Sequence, residues 1–203
     1  MAEKKLPVIT INRLYAAYGT TIAEILSDRL GIPYYDKDFV RKTAAESDYE
    51  LEEVEFRGEE ISSRSKLINM ILNTTVGTYP DMVRDLYVIQ RKVIIELAQN
   101  ECILLGRCAN HILREIGVPT FDIFLYADIE HRRMHAAELE ETQDKKDLDK
   151  YIAQRDTFRN NYYRTFVGTD IDDCRNYHIC LDTGRITPNQ CADIIIGLLE
   201  NWK

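Results

Sequence analysis

No apolar run in these 203 residues approaches the roughly 20 needed to cross a bilayer. The opening Met1-Ala2-Glu3-Lys4-Lys5 also lacks the apolar core of a secretory signal, so a cytoplasmic protein with no membrane partner is expected. Cysteine is scarce and unpatterned. The five, Cys102, Cys108, Cys174, Cys180 and Cys191, are odd in number and form no CxxC pair, which argues for reduced thiols over disulfides or zinc. Basic charge is short as well. Twenty-six Lys and Arg against 34 Asp and Glu leave a net charge of −8, the wrong sign for general nucleic-acid binding, although a local basic pocket is compatible with it. Internal repeats, Gly/Ser linkers and low-complexity tracts are missing too, so the chain reads as a single domain over 1–203. A hydrophobic content of 45% beside 30% charged residues suits a globular core that needs no disulfide.

What is present begins at the N-terminus. Leu6 to Ile11 reads as a buried strand, with Pro7 tolerated at its start and Val8, Ile9 and Ile11 supplying β-branched bulk. A loop runs from Asn12 to Gly19. From Thr20 the apolar residues Ile22, Ile25, Leu26 and Leu30 recur at helical spacing, and Gly31 and Pro33 stop the helix. A second strand follows at Tyr34-Tyr35 and ends in Asp36. In a strand, loop, helix, strand opening, the loop amides and the helix N-terminus point the same way, which makes an anion site.

The rest of the chain alternates in the same manner. Asp38–Ala45 continues as a short helix, Glu50–Glu60 is an acidic, solvated face, and Ser65–Thr75 is a densely apolar helix broken at Gly77. Pro80 opens a long helix to about Asn100 whose apolar side, Val83, Leu86, Tyr87, Val93, Ile94 and Leu97, is interrupted by Gln90. Cys102–Leu105 is short and wholly apolar, as suits a central strand, and Gly106-Arg107 leaves its C-terminal end. Thr120–Tyr126 is a further strand, and Asp128 caps a helix from about Glu130. Glu138–Lys150 is almost wholly polar and reads as an exposed lid. Helical character returns over Leu148–Phe166. A last strand spans Tyr177–Leu181, and Thr187-Pro188-Asn189-Gln190 is a capping box opening a final helix with a buried stripe of Cys191, Ile194, Ile195, Leu198 and Trp202. Five strands separated by helices imply an α/β fold, a parallel sheet covered on both faces.

Three stretches resemble the cytidylate kinase-like branch of the P-loop nucleoside monophosphate kinases. Residues 12–21 lie without a gap on that family's S-R-E-Y-G-S-G-G-[RK]-E loop, matching at Arg13, Tyr15 and Gly19. They depart from it at Ala16 and Tyr18, where the family has glycine, and at Thr20, where it has a basic residue. Residues 106–113 resemble G-R-C-A-D-Y-I-L, with Asn110 and His111 as departures. Residues 156–163 resemble D-K-x-R-x-x-Y-Y, matching at Asp156, Arg159, Tyr162 and Tyr163, with Thr157 for a basic residue. Arg132 matches the first arginine of an R-x-x-R helix, and His135 stands for the second.

The resemblance implies a three-layer P-loop kinase fold with a helical acceptor lobe at about 37–78 and a lid at 138–165. It implies a transferase that moves the γ-phosphate of ATP, with Mg²⁺, to a nucleoside monophosphate, CMP or dCMP. Partners would then be nucleoside mono- and triphosphates. The donor phosphates would meet Arg13, Ala16, Ala17, Tyr18, Gly19, Thr20 and Thr21, with Thr21 also facing the metal. Arg107, Arg132 and Arg159 would carry the transfer, and Asp36, Arg107, Asp156 and Arg159 would hold the acceptor. Each assignment has a plainer counterpart: Arg107 paired with a surface carboxylate, Asp36 as a turn residue, Asp156 and Arg159 as an intrahelical salt bridge, Tyr15 and Tyr18 as packing. The absence of the loop's basic residue opens a second class of function, a catalytically impaired nucleotide-binding sensor or interaction protein on the same fold. The histidines His111, His131 and His135 lack metal-ligand spacing with cysteines.

Overall fold

The computed structural model describes residues 6–36, 79–140 and 145–202, without the side chains of 79–86 and 145–146. The short helix, acidic face and apolar helix expected between residues 38 and 75, and with them the acceptor lobe, lie outside the described residues. In chain order the elements are β1 (Val8–Arg13), α1 (Gly19–Leu30), β2 (Tyr34–Tyr35), α2 (Tyr79–Leu97), β3 (Ile103–Leu105), α3 (Ala109–Glu115) and β4 (Thr120–Tyr126). They continue with α4 (Ile129–Leu139), α5 (Lys145–Val167), a 3₁₀ turn (Cys174–Asn176), β5 (Ile179–Asp182) and α6 (Pro188–Glu200). The five strands form one parallel sheet in the order β2-β3-β1-β4-β5.

Strand alternation sorts the core into two layers. Ile9 and Ile11 of β1, Ile103 and Leu105 of β3, and Phe121, Ile123 and Leu125 of β4 face the side covered by α1 and α6, against Ile22, Leu26, Ile195 and Leu199. Val8, Leu104 and Phe124 point the other way, into Val93 and Ile94 of α2, Ile112 and Leu113 of α3, and Tyr162 and Tyr163 of α5. Both faces of the sheet are thus dry, which is why the strands read as nearly continuous apolar runs. Each fully buried aliphatic side chain contributes about 1.5–3 kcal/mol. Asp122 of β4, the one buried carboxylate among the described residues, is satisfied by Thr10 Oγ1 at 2.7 Å, Thr120 Oγ1 at 3.0 Å and Arg114 Nη2 at 2.6 Å. Gln90, the break in the α2 stripe, is buried and accepts from the Tyr162 hydroxyl at 2.6 Å. No helix among the described residues is long and apolar enough to cross a membrane.

Several expectations shift. β1 runs on to Arg13, because Asn12 and Arg13 still pair with Phe124 and Leu125 of β4, and α1 begins at Gly19. α5 starts at Lys145 and buries Leu148 and Ile152, so the polar segment is helical from its second half and carries a core face. In α6 the buried residues are Cys191, Ala192, Ile195 and Leu199, while Ile194 and Leu198 are exposed at 37% and 42%. The row Cys191, Ile195 and Leu199, with Ala192 beside it, lies in the core shared with α1, and the row of Ile194 and Leu198 falls outside it. Caps are as expected: Gly31 is left-handed and closes α1, Asp128 caps α4, and Thr187 and Gln190 form the box at α6.

Candidate active site

β1 lies where the strand order reverses, between β3 and β4. In an open parallel sheet, the crevice beyond the C-terminal ends of the strands at such a point receives the ligand. A cleft of about 680 Å³ opens there. Residues 13–21 line it, together with Tyr34 and Asp36 from the end of β2, His135, Leu139 and Glu140 from α4 and its cap, and Arg155 and Arg159 from α5. The size suits a small-molecule site of ordinary dimensions.

The loop keeps the shape that glycine would allow. Ala16 and Tyr18 have φ of 59° and 57°, left-handed values that cost an L-residue roughly 1–2 kcal/mol each. Contacts from α4 and α5 hold them there. The Tyr15 amide donates to Asp156 Oδ1 at 2.7 Å, and the Ala16 carbonyl accepts from His135 Nδ1 at 3.0 Å, so that nitrogen carries the proton. The Tyr18 ring stacks on the His135 ring. Tyr15 and Ala16 are themselves packed with Ala136, Leu148 and Ile152. Tyr18 caps α1 without a side-chain bond, so among the described residues no side chain of the cap takes the first-turn amides, which face the cleft.

Cations gather at the mouth of this loop. Arg13 Nη2 donates to Asp36 Oδ1 at 2.9 Å, and Thr20 Oγ1 donates to Asp36 Oδ2 at 3.0 Å. Burial pushes the Asp36 carboxyl up, but Arg13, the Thr20 hydroxyl, Arg159 and Arg107 together hold it below the usual carboxylate range. Arg159 Nη1 reaches the Arg13 carbonyl at 3.3 Å, and its guanidinium lies 5.4 Å from the Tyr15 ring centre. Arg107 follows Gly106 in a run of three left-handed residues, φ 75°, 56° and 58° at 106–108, and sits 5.9 Å from the centre of the Tyr162 ring. The hard oxygens of Thr20, Thr21 and Asp36 are of the chemistry Mg²⁺ accepts beside phosphates and water.

The predicted residues therefore divide. Residues 13–21, Asp36 and Arg159 share the cleft, and Arg107 stands beside it within the field of Asp36. Arg132 and Asp156 instead lie behind the loop. Arg132 is 9% exposed, its Nη1 meets Asp156 Oδ2 at 2.5 Å and the Tyr15 carbonyl at 3.5 Å, and its Nε has no acceptor among the described residues. Asp156 thus reaches across to α4 and to the loop backbone, a third outcome beside a ligand contact and an intrahelical bridge. Sequence reasoning missed His135, Glu140 and Arg155. Glu140 accepts from the Tyr15 hydroxyl at 2.5 Å, and Arg155 lies 5.7 Å and 5.4 Å from the ring centres of Tyr15 and Tyr151. The three-residue step from Arg132 to His135 was a signal for one of them; nothing local marked Glu140.

A model of the cytidylate kinase-like family matches residues 8–185. Similar curated proteins include the cytidylate kinase of Methanothermobacter thermautotrophicus, 28% identical over 179 residues that are 88% of this chain and 96% of that one. The cytidylate kinase of Methanococcus maripaludis is 25% identical over 197 residues, 97% and 99% of the two chains. Among solved structures, an uncharacterized protein from Eubacterium ventriosum superposes with a TM-score of 0.70 at 20% identity, over 96% of this chain and 98% of that one. A shikimate kinase from Bacteroides thetaiotaomicron gives 0.57 at 13% identity, over 97% and 99%. At such identities the structural likeness speaks for the fold, the P-loop kinase architecture.

Proposed function

The chain belongs to the cytidylate kinase-like family, and on that premise we propose that it moves the γ-phosphate of ATP to a nucleoside monophosphate, CMP or dCMP. The observation that carries the reading is the Arg13–Asp36–Thr20 bridge, with Arg159 lining the same cleft, at the start of α1, where the Tyr18 side chain makes no cap. Phosphoryl transfer asks little covalent chemistry of a protein; it asks that two phosphates be held in line and the developing charge be neutralised. The α1 amides and Arg13 would receive the donor phosphates, and Arg107 and Arg159 would grip the acceptor phosphate and the transferred group. Arg132 and Asp156 would set the loop from behind. Mg²⁺, carried in on the nucleotide and met by Thr20, Thr21 and Asp36, would supply further charge neutralisation. Residues 138–165, most of them in α5, would act as the lid, and residues 37–78 as the acceptor lobe.

A coupled assay of ADP release from ATP and Mg²⁺ with each common nucleoside monophosphate tests this. Turnover with CMP or dCMP that falls at least a hundredfold in Arg107→Ala supports the reading. A second reading, a nucleotide sensor that has lost the reaction, draws on Thr20: its hydroxyl is bonded to Asp36 where the family's loop carries a basic residue. Thermal stabilisation by nucleotide without turnover would favour the sensor.

A further inference from the structure

Arg13 lies across the start of α1. A Cβ built on Gly19 would come within 3.0–3.2 Å of Arg13 Cγ, Cδ and Nε, and one on Gly106 within 2.7 Å of Arg13 Nη1. Gly19 has no positive φ, so its backbone alone gives no reason for glycine there. The space is taken by the arginine. Its side chain is 14% exposed, and Nη2 is held by Asp36 Oδ1. Asp36 also takes the Thr20 hydroxyl, so one carboxylate ties the end of β1 to the first turn of α1. Arg13 lines the cleft beside Gly19, Thr20 and Thr21.

We propose that Arg13 is the phosphate-binding cation of this loop, supplying from the end of β1 the positive charge that position 20 on α1 lacks, with Asp36 as the residue that positions its guanidinium. This rests on the phosphotransfer reading and adds to it a specific division of labour. A P-loop needs a cation within reach of the terminal phosphates of its nucleotide. A guanidinium anchored through one nitrogen keeps its other N–H groups for phosphate oxygens, and its planar fork suits paired acceptors. The carboxylate that anchors it also offsets its charge while no phosphate is present. Gly19 and Gly106 then serve a purpose beyond loop flexibility: they leave the channel through which Arg13 reaches the helix N-terminus.

The test relocates the charge. Titration calorimetry with inorganic tripolyphosphate, the probe that carries the phosphates without a base, is run on the full chain and on Arg13→Gln, Thr20→Lys and the double variant, with Mg²⁺-ATP in parallel. Arg13→Gln is expected to weaken tripolyphosphate about ten- to a hundredfold, and Thr20→Lys in that background to restore at least half of the loss on a logarithmic scale. Should Arg13→Gln not fold, Gly19→Ala, which crowds Arg13 aside while favouring the helix, takes its place, with and without Thr20→Lys. Equal binding by the full chain and by Arg13→Gln or Gly19→Ala would overturn the inference while leaving the phosphotransfer reading intact, and so would a weakened variant that Thr20→Lys does not rescue. A full chain that binds neither probe would overturn both.

Discussion

The rings of Tyr18 and His135 lie 3.8 Å apart and 5° from parallel. Both residues are departures from the pattern the sequence resembles, a tyrosine for a glycine in the loop and a histidine for an arginine on α4. They meet each other. The stack draws the Tyr18 ring onto α4 and fixes the left-handed turn that a glycine would have adopted unaided.

Tyr18→Gly sets two effects against each other. It relieves roughly 1–2 kcal/mol of left-handed strain and removes a stack of about 0.5–1.5 kcal/mol. Denaturant unfolding is therefore expected to show a net change within about 1 kcal/mol. His135→Ala, which loses the stack and the bond to the Ala16 carbonyl but keeps the strain, is expected to cost about 1–2 kcal/mol.

Asp156→Asn leaves the Arg132 guanidinium buried without its counter-charge. Since Arg132 Nε already lacks an acceptor among the described residues, the loss is expected to be about 2–3 kcal/mol by urea unfolding, somewhat below that of a fully buried pair because Asp156 keeps 21% side-chain exposure. Hydrogen exchange at the Tyr15 amide, whose acceptor is Asp156, is expected to quicken more than at the centre of β1.

The Asp36 carboxyl sits below its ordinary value in the folded chain, so the folded state binds the proton later than the unfolded chain does. Its contribution is complete above about pH 4, the unfolded carboxylate range, and is lost as the pH falls through the lower folded value. The stability difference between wild type and Asp36→Asn is expected to be flat from pH 7 to 5 and to shrink below pH 4. A difference that already shrinks near pH 6 would contradict the pairing with Arg13.

Thiol chemistry should follow burial. Cys102 and Cys191 are buried and pushed up to about 12 and about 11, Cys108 is buried and also pushed up, whereas Cys174 is exposed. Native labelling with a thiol reagent at pH 7.5 is expected to modify Cys174 first and Cys180 more slowly. The other three should react only after denaturation.

The order of the strands' chemistry was legible early because it is local. β-branched runs, the Gly31 stop, the Asp128 cap and the Thr187 box each act within a few residues, and each appears where the chain announces it. Placing Arg107 after a central strand and Asp36 after β2 followed from the same logic, since parallel strands deliver their C-terminal residues to one edge. The buried row of α6 was misread at Ile194 and Leu198 because spacing defines a stripe but leaves open which of its edges a neighbour covers.

By itself the sequence determined the alternation of strand and helix, the caps, the loop between β1 and α1 and the family it resembles, all of which depend on contacts a few residues long. The tertiary structure alone decided that Arg132 and Asp156 stand behind the loop, that His135 holds Ala16 and Tyr18, and that Arg13 passes Gly19 and Gly106 to reach Asp36. The hydrogen-bonded partners among them lie 23 to 141 positions apart along the chain. The sheet order brings Arg13 to Asp36, and the packing of α4 and α5 over the sheet edge brings the others within reach of the loop; spacing along one segment carries no record of either.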